Sequence, residues 1–154
     1  MTNFKWLLFS IVISSTLLGW YYFQPTEVID VHRLKDKNSF DIIVKHLPIT
    51  DKGKIQWWDK NKLKFNKENN IYLEPHDYRI NFWISDYKVD RGTDQDSDLL
   101  CFDDMKVKAN CIEKYNQPMT IWYIAEKGQT IYLLNNWENK YIKFDETGRL
   151  HKVR

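Results

Sequence analysis

The chain has 154 residues, 43 % of them hydrophobic and 16 % aromatic, enough for one domain with its own core. It carries 23 Lys+Arg against 21 Asp+Glu, a net charge of +2. That near balance excludes the strong basic excess of a nucleic-acid-binding surface.

The first feature in chain order is an apolar run from Trp6 to Phe23 that holds no charged residue. At about 18 residues it is near the lower limit for a helix that crosses a bilayer. Trp6 opens it and Trp20, Tyr21, Tyr22 and Phe23 close it, the placement of an interfacial aromatic belt. Lys5 precedes it, and Glu27 and Asp30 follow. The positive-inside rule then puts the N-terminus in the cytoplasm and the remainder outside. The competing reading is a cleaved signal peptide, but Ser14, Ser15, Thr16 and Gly19 form no A-x-A-like site. A lipoprotein would need a cysteine where Trp20 stands. We therefore expect residues 1–24 to be a cytoplasmic stub and transmembrane anchor. Residues 25–154 would be a domain outside the cytoplasm.

"TEVIDVHR" (Thr26–Arg33) is rich in β-branched residues and predicts a first strand. "SFDIIVKHLP" follows, with Phe40, Ile42 and Val44 on one face by period 2. In "TDKGKIQWWDKNKLKFNKENN" the period changes: Ile55, Trp58, Lys62 and Phe65 fall on one helical stripe. Thr50 or Asp51 is its expected N-cap, and Trp57 should sit at the edge of the interface. "DYRINFWISDYK" alternates strictly, with Tyr78, Ile80, Phe82 and Ile84 on one face and Arg79, Asn81, Trp83 and Ser85 on the other. "LLCFDDM" (Leu99–Met105) predicts a short strand and turn. "MTIWYIA", "TIYLLNN", "YIKF" and "RLHKV" read as a C-terminal meander. The expected fold is α+β: a single transmembrane helix, then a small domain with an antiparallel, meander-like sheet and one packed helix.

No catalytic constellation is visible. His32, His46, His76 and His151 show no metal-ligand spacing, and no serine lies in a G-x-S-x-G context. Cys101 and Cys111 are spaced C-x9-C, unlike a C-x-x-C redox pair or a zinc site, so a disulfide in an oxidising compartment is expected. Asp94, Asp96 and Asp98 alternate as in a calcium loop. An EF-hand, however, needs glycine where Leu99 stands and glutamate where Met105 stands. Three aligned carboxylates are offset by water, a cation or a basic partner, and we carry the partner forward as a candidate. Trp57, Trp58, Trp83, Trp122 and Trp137 suggest a glycan platform, with core packing as the plainer reading. Trp83 lies opposite Ile80 and Phe82 and is the one expected to be exposed.

The short N-terminal span, "LPITDKGKIQWWDKNK" (Leu47–Lys62) and "LLCFDDMKVKANCIEK" (Leu99–Lys114) together resemble the enterobacterial putative membrane proteins grouped as domain-of-unknown-function family nine-four-three. The likeness in layout covers nearly the whole chain. It implies a bacterial inner-membrane location, which makes residues 25–154 a periplasmic domain, and no established activity, and it carries over no catalytic residue. The expectation is a binding protein, not an enzyme, with no metal or cofactor. Specifically, it would be an immunity protein that neutralises an antibacterial toxin by direct binding. Its candidate partner-binding residues are Asp94, Asp96, Asp98 and Trp83. The alternative is an envelope glycan- or lipid-binding accessory protein.

Overall fold

A computed structural model describes residues 6, 9, 11–16, 19, 24–35, 38–69, 71, 76–93 and 98–153. The hairpin expected from the first two segments forms: β1 (Glu27–Arg33) pairs antiparallel with β2 (Ser39–Lys45), with a register shift between Val28 and Asp30. Then come helix α1 (Asp51–Asn69) and strand β3 (Tyr78–Trp83). The short strands β4 (Leu99–Cys101) and β5 (Cys111–Glu113) make a separate two-stranded ladder. The C-terminal meander is β6 (Met119–Ile124), β7 (Gln129–Leu134), β8 (Asn139–Phe144) and β9 (Leu150–Val153). One seven-stranded sheet results, in the order β1-β2-β3-β6-β7-β8-β9.

Two expectations about the fold are corrected. The sheet is mixed, because β2 and β3 run parallel. A tight turn joins only antiparallel strands; here the chain leaves β2, passes through α1 and re-enters the sheet in the same direction. The fold is thus mostly β, with one packed helix. The expected transmembrane helix over Trp6–Phe23 is also overturned: among the described residues no helix is long and apolar enough to cross a membrane. The described residues there, 6, 9, 11–16 and 19, are helical and include Ser14, Ser15 and Thr16. Ser15 and Thr16 spend their hydroxyls on the carbonyl of Val12, at 2.9 and 3.0 Å.

Helix α1 begins where the sequence predicts. The Gly53 N–H donates to Thr50 Oγ1 at 3.1 Å, satisfying a first-turn donor. Asp51 and Lys67 suit the two ends of the helix dipole. Ile55, Trp58 and Phe65 are buried against Ile42, Ile80, Phe82 and Ile121 of the sheet. Trp57 lies at the margin, its ring edge-on to Phe82 with centroids 5.7 Å apart.

A polar seam borders that core. Asp59 accepts from the Tyr132 hydroxyl at 3.0 Å and from Lys143 Nζ at 2.7 Å. Asp51 accepts from Asn135 Nδ2 at 2.9 Å and from the Tyr141 hydroxyl at 3.0 Å. Buried Lys54 donates to Asn135 Oδ1 at 2.6 Å, and burial lowers its pKa. Burial, then the charge of Asp59, pushes the Tyr132 hydroxyl well above its ordinary value of 10.0. A raised folded-state pKa means the folded chain keeps a proton that the unfolded chain releases. The stabilisation from Tyr132 is therefore full below about pH 10 and declines as pH rises beyond it. One such group costs about 1.4 kcal/mol per pH unit above that point. Denaturant titrations at pH 9 to 11 should show a shallower alkaline loss in Tyr132→Phe than in the wild type. Parallel curves would contradict this assignment.

A candidate partner-binding cleft

On β2 and β3 alternate side chains point away from α1. Asp41 and Ile43 do so on β2, Asn81 and Trp83 on β3. This face is not left to water. The arm built from β4 and β5 covers it, and Ile43, Trp83, Phe102 and Ile112 form a second apolar cluster. Two links hold the arm in shape and in place. The Cys101–Cys111 disulfide joins directly opposed residues of the β4–β5 ladder. The backbones of Lys88 and Cys111 exchange hydrogen bonds of 2.7 and 3.1 Å.

The arm explains why the exposed placement expected for Trp83 is wrong. Its side chain is only 7 % exposed. Its indole Nε1 donates to the buried carboxylate of Asp41 at 2.8 Å, beside Asn81 Nδ2 at 2.9 Å. Asn81 Oδ1 in turn accepts from Thr120 Oγ1 at 3.2 Å. Trp83 is a structural residue that satisfies a buried charge. Of the three aspartates, Asp94 and Asp96 lie outside the described residues. Asp98 is exposed in the turn before β4 and does not line the cleft.

Between the end of β1 and the arm lies a cleft of about 630 Å³, lined by residues that include His32, Arg33, Lys35, Phe102, Asp103 and Asp104. Its floor is the His32 ring stacked on Phe102, with centroids 3.7 Å apart. His32 is 3 % exposed. Nδ1 lies 3.0 Å from both carboxylate oxygens of Asp104, and Nε2 lies 2.6 Å from the Tyr87 hydroxyl. An ionised carboxylate only accepts, so Nδ1 carries a proton towards Asp104. The Tyr87 hydroxyl also reaches Asp30 Oδ2 at 3.3 Å. Burial, then the Asp30 and Asp104 charges, drives the Tyr87 pKa far above the usual phenol value. At the rim Lys35 Nζ meets Asp103 at 2.9 Å, and both are about four-fifths exposed.

The chemistry on offer is recognition. Both nitrogens of the one histidine are engaged. The rim presents two carboxylates and two cations over an apolar floor, a set that can hold a charged side chain by hydrogen bonds and stacking. Asp90 with Cys101 and Cys111 forms the described group close enough to share an ion. The two sulfurs are bonded to each other, so no thiolate ligand remains there.

Sequence reasoning missed His32, Asp103 and Asp104 as neighbours because they lie far apart in the chain. The adjacent acids of "CFDDM", two and three residues after a cysteine expected to be disulfide-bonded, were the available signal. No curated protein and no solved structure matches the chain. Residues 2–154 match the family model described as enterobacterial putative membrane protein, DUF943. That match takes in β1, the arm and the whole sheet, and so every residue of the cleft. The chain belongs to this family, described as enterobacterial putative membrane protein.

Proposed function

We propose that this membrane-family protein is a binder, not an enzyme, and that it acts in the oxidising compartment outside the cytoplasm. The disulfide supports the compartment. The observation that carries the binding role is the cleft. Its rim carboxylates sit on a turn pinned by that disulfide, and its histidine is fully committed to neighbours. A rigid, preformed, mixed-charge site lowers the ordering cost of association. We read the partner as a protein whose basic side chain enters between Asp103 and Asp104. An antibacterial toxin neutralised by direct capture is the partner class that best suits a binder in a membrane-protein family.

The test is a co-culture. Cells lacking the gene, and any paralogue, should be killed by toxin-producing siblings, and a wild-type copy should rescue them. Asp103→Lys reverses an exposed rim charge with little effect on the fold. It should slow association by about tenfold at low salt and less at high salt, since steering charges act on the on-rate. Deletion cells as resistant as their parents would end the immunity reading.

A further inference from the structure

Beyond the arm, the same side of the sheet has a different character. The ladder register puts Arg79, Trp122, Ile131, Ile142 and His151 in one row across β3, β6, β7, β8 and β9. Trp122 stands 46 % exposed there. Trp137, 52 % exposed, lies with the Arg79 guanidinium 5.7 Å from its ring centroid. Its backbone is left-handed, as are those of Asn135 and Asn136, so the β7–β8 turn holds this side chain out at the sheet margin. Phe144 and Val153 add exposed apolar area near the far edge. Lys140 lies in the neighbouring row. Among the described residues, those that these five strands alternate onto this face include three potential cations and no carboxylate. The nearest acids are Glu138, exposed in the turn beside Trp137, and Asp41, buried beneath the arm, while Asp51 and Asp59 lie on the helix side.

We propose that this face docks on the surface of an anionic lipid bilayer. Exposed tryptophans among cations match the layer of headgroups, where an indole buries its ring and keeps its N–H wet. The cations of this face complement anionic headgroups. The family described as enterobacterial putative membrane protein supports a membrane setting for such a face. This inference is independent of the partner reading, because it uses none of the cleft residues.

The experiment is hydroxyl-radical footprinting of the full chain in phosphatidylglycerol vesicles and in phosphatidylcholine vesicles, read residue by residue by mass spectrometry. Oxidation of Trp122 and Trp137 should fall severalfold in the anionic vesicles alone. Tyr115, 71 % exposed and following β5 on the arm side, should react equally in both. Lys140→Glu should return Trp122 and Trp137 to the neutral-vesicle level, since one reversed charge lowers the docked-to-free ratio by about tenfold or more. Equal oxidation of the tryptophans in both lipids overturns the proposal. So does equal protection of Tyr115, which would mean that the whole domain is shielded. Protection by soluble glycan-chain fragments in place of lipid would overturn it in favour of a sugar platform.

Discussion

Trp83→Ala should cost the domain about 4–8 kcal/mol, most of the stability a small domain has. Two effects add. Removing a large buried side chain from the cluster of Ile43, Phe102 and Ile112 leaves a cavity worth about 3–5 kcal/mol. It also takes one of two donors from Asp41, which is 2 % exposed and keeps only Asn81 Nδ2, and losing a hydrogen bond to a buried carboxylate costs about 1–3 kcal/mol more. Trp83→Phe separates the two, because it keeps most of the ring and loses the N–H. It should fall between the wild type and Trp83→Ala in urea midpoint. A Trp83→Ala protein with the wild-type midpoint would refute the buried network. The same reasoning disqualifies Trp83→Ala as a probe of binding, since lost binding would report lost structure.

The second large effect concerns the arm. Breaking the Cys101–Cys111 bond should lower stability by about 2–3 kcal/mol through the freed unfolded chain, given a sequence separation of 10. Cys111 is fully buried, so Cys111→Ser adds the cost of an unpaired hydroxyl. The arm supplies Phe102, the stacking partner of His32, and Asp104, its hydrogen-bond partner. The reduced protein should therefore keep its main sheet and lose the order of its cleft. Thiol reduction followed by urea titration and near-ultraviolet circular dichroism measures both. An unchanged midpoint after verified reduction would show that the bond contributes nothing.

Local periodicity made most elements legible. The alternation around Ile80 and Phe82, the stripe of Ile55, Trp58 and Phe65, and the turn between β8 and β9 are properties of a few consecutive residues. Strand pairing across a long crossover is not, and the parallel match of Phe40 with Ile80 is written in no short window. Strand β5 has three residues, too few for a period to appear. Trp83 was misplaced for a related reason. Alternation assigns a side chain to a face, but whether that face meets water depends on the arm, which folds back from later in the chain. The cleft needs the same long-range event to bring His32 to Asp104. Near the N-terminus the difficulty was the opposite: apolar composition alone suggested a span, and among the described residues no helix is long and apolar enough to make one.

The strand order also has a practical consequence for handling the molecule. Strands β1 and β9 are the two outer edges of the sheet. Six strand spacings of about 4.8 Å separate them, roughly 29 Å in all. A reporter or affinity handle fused after β9 therefore stands at the margin opposite His32, and it leaves the cleft open to a bound molecule. The same handle sits beside Val153 and His151, and it would crowd the face that carries Trp122. Circular permutation would need a linker long enough to cross the full width of the sheet.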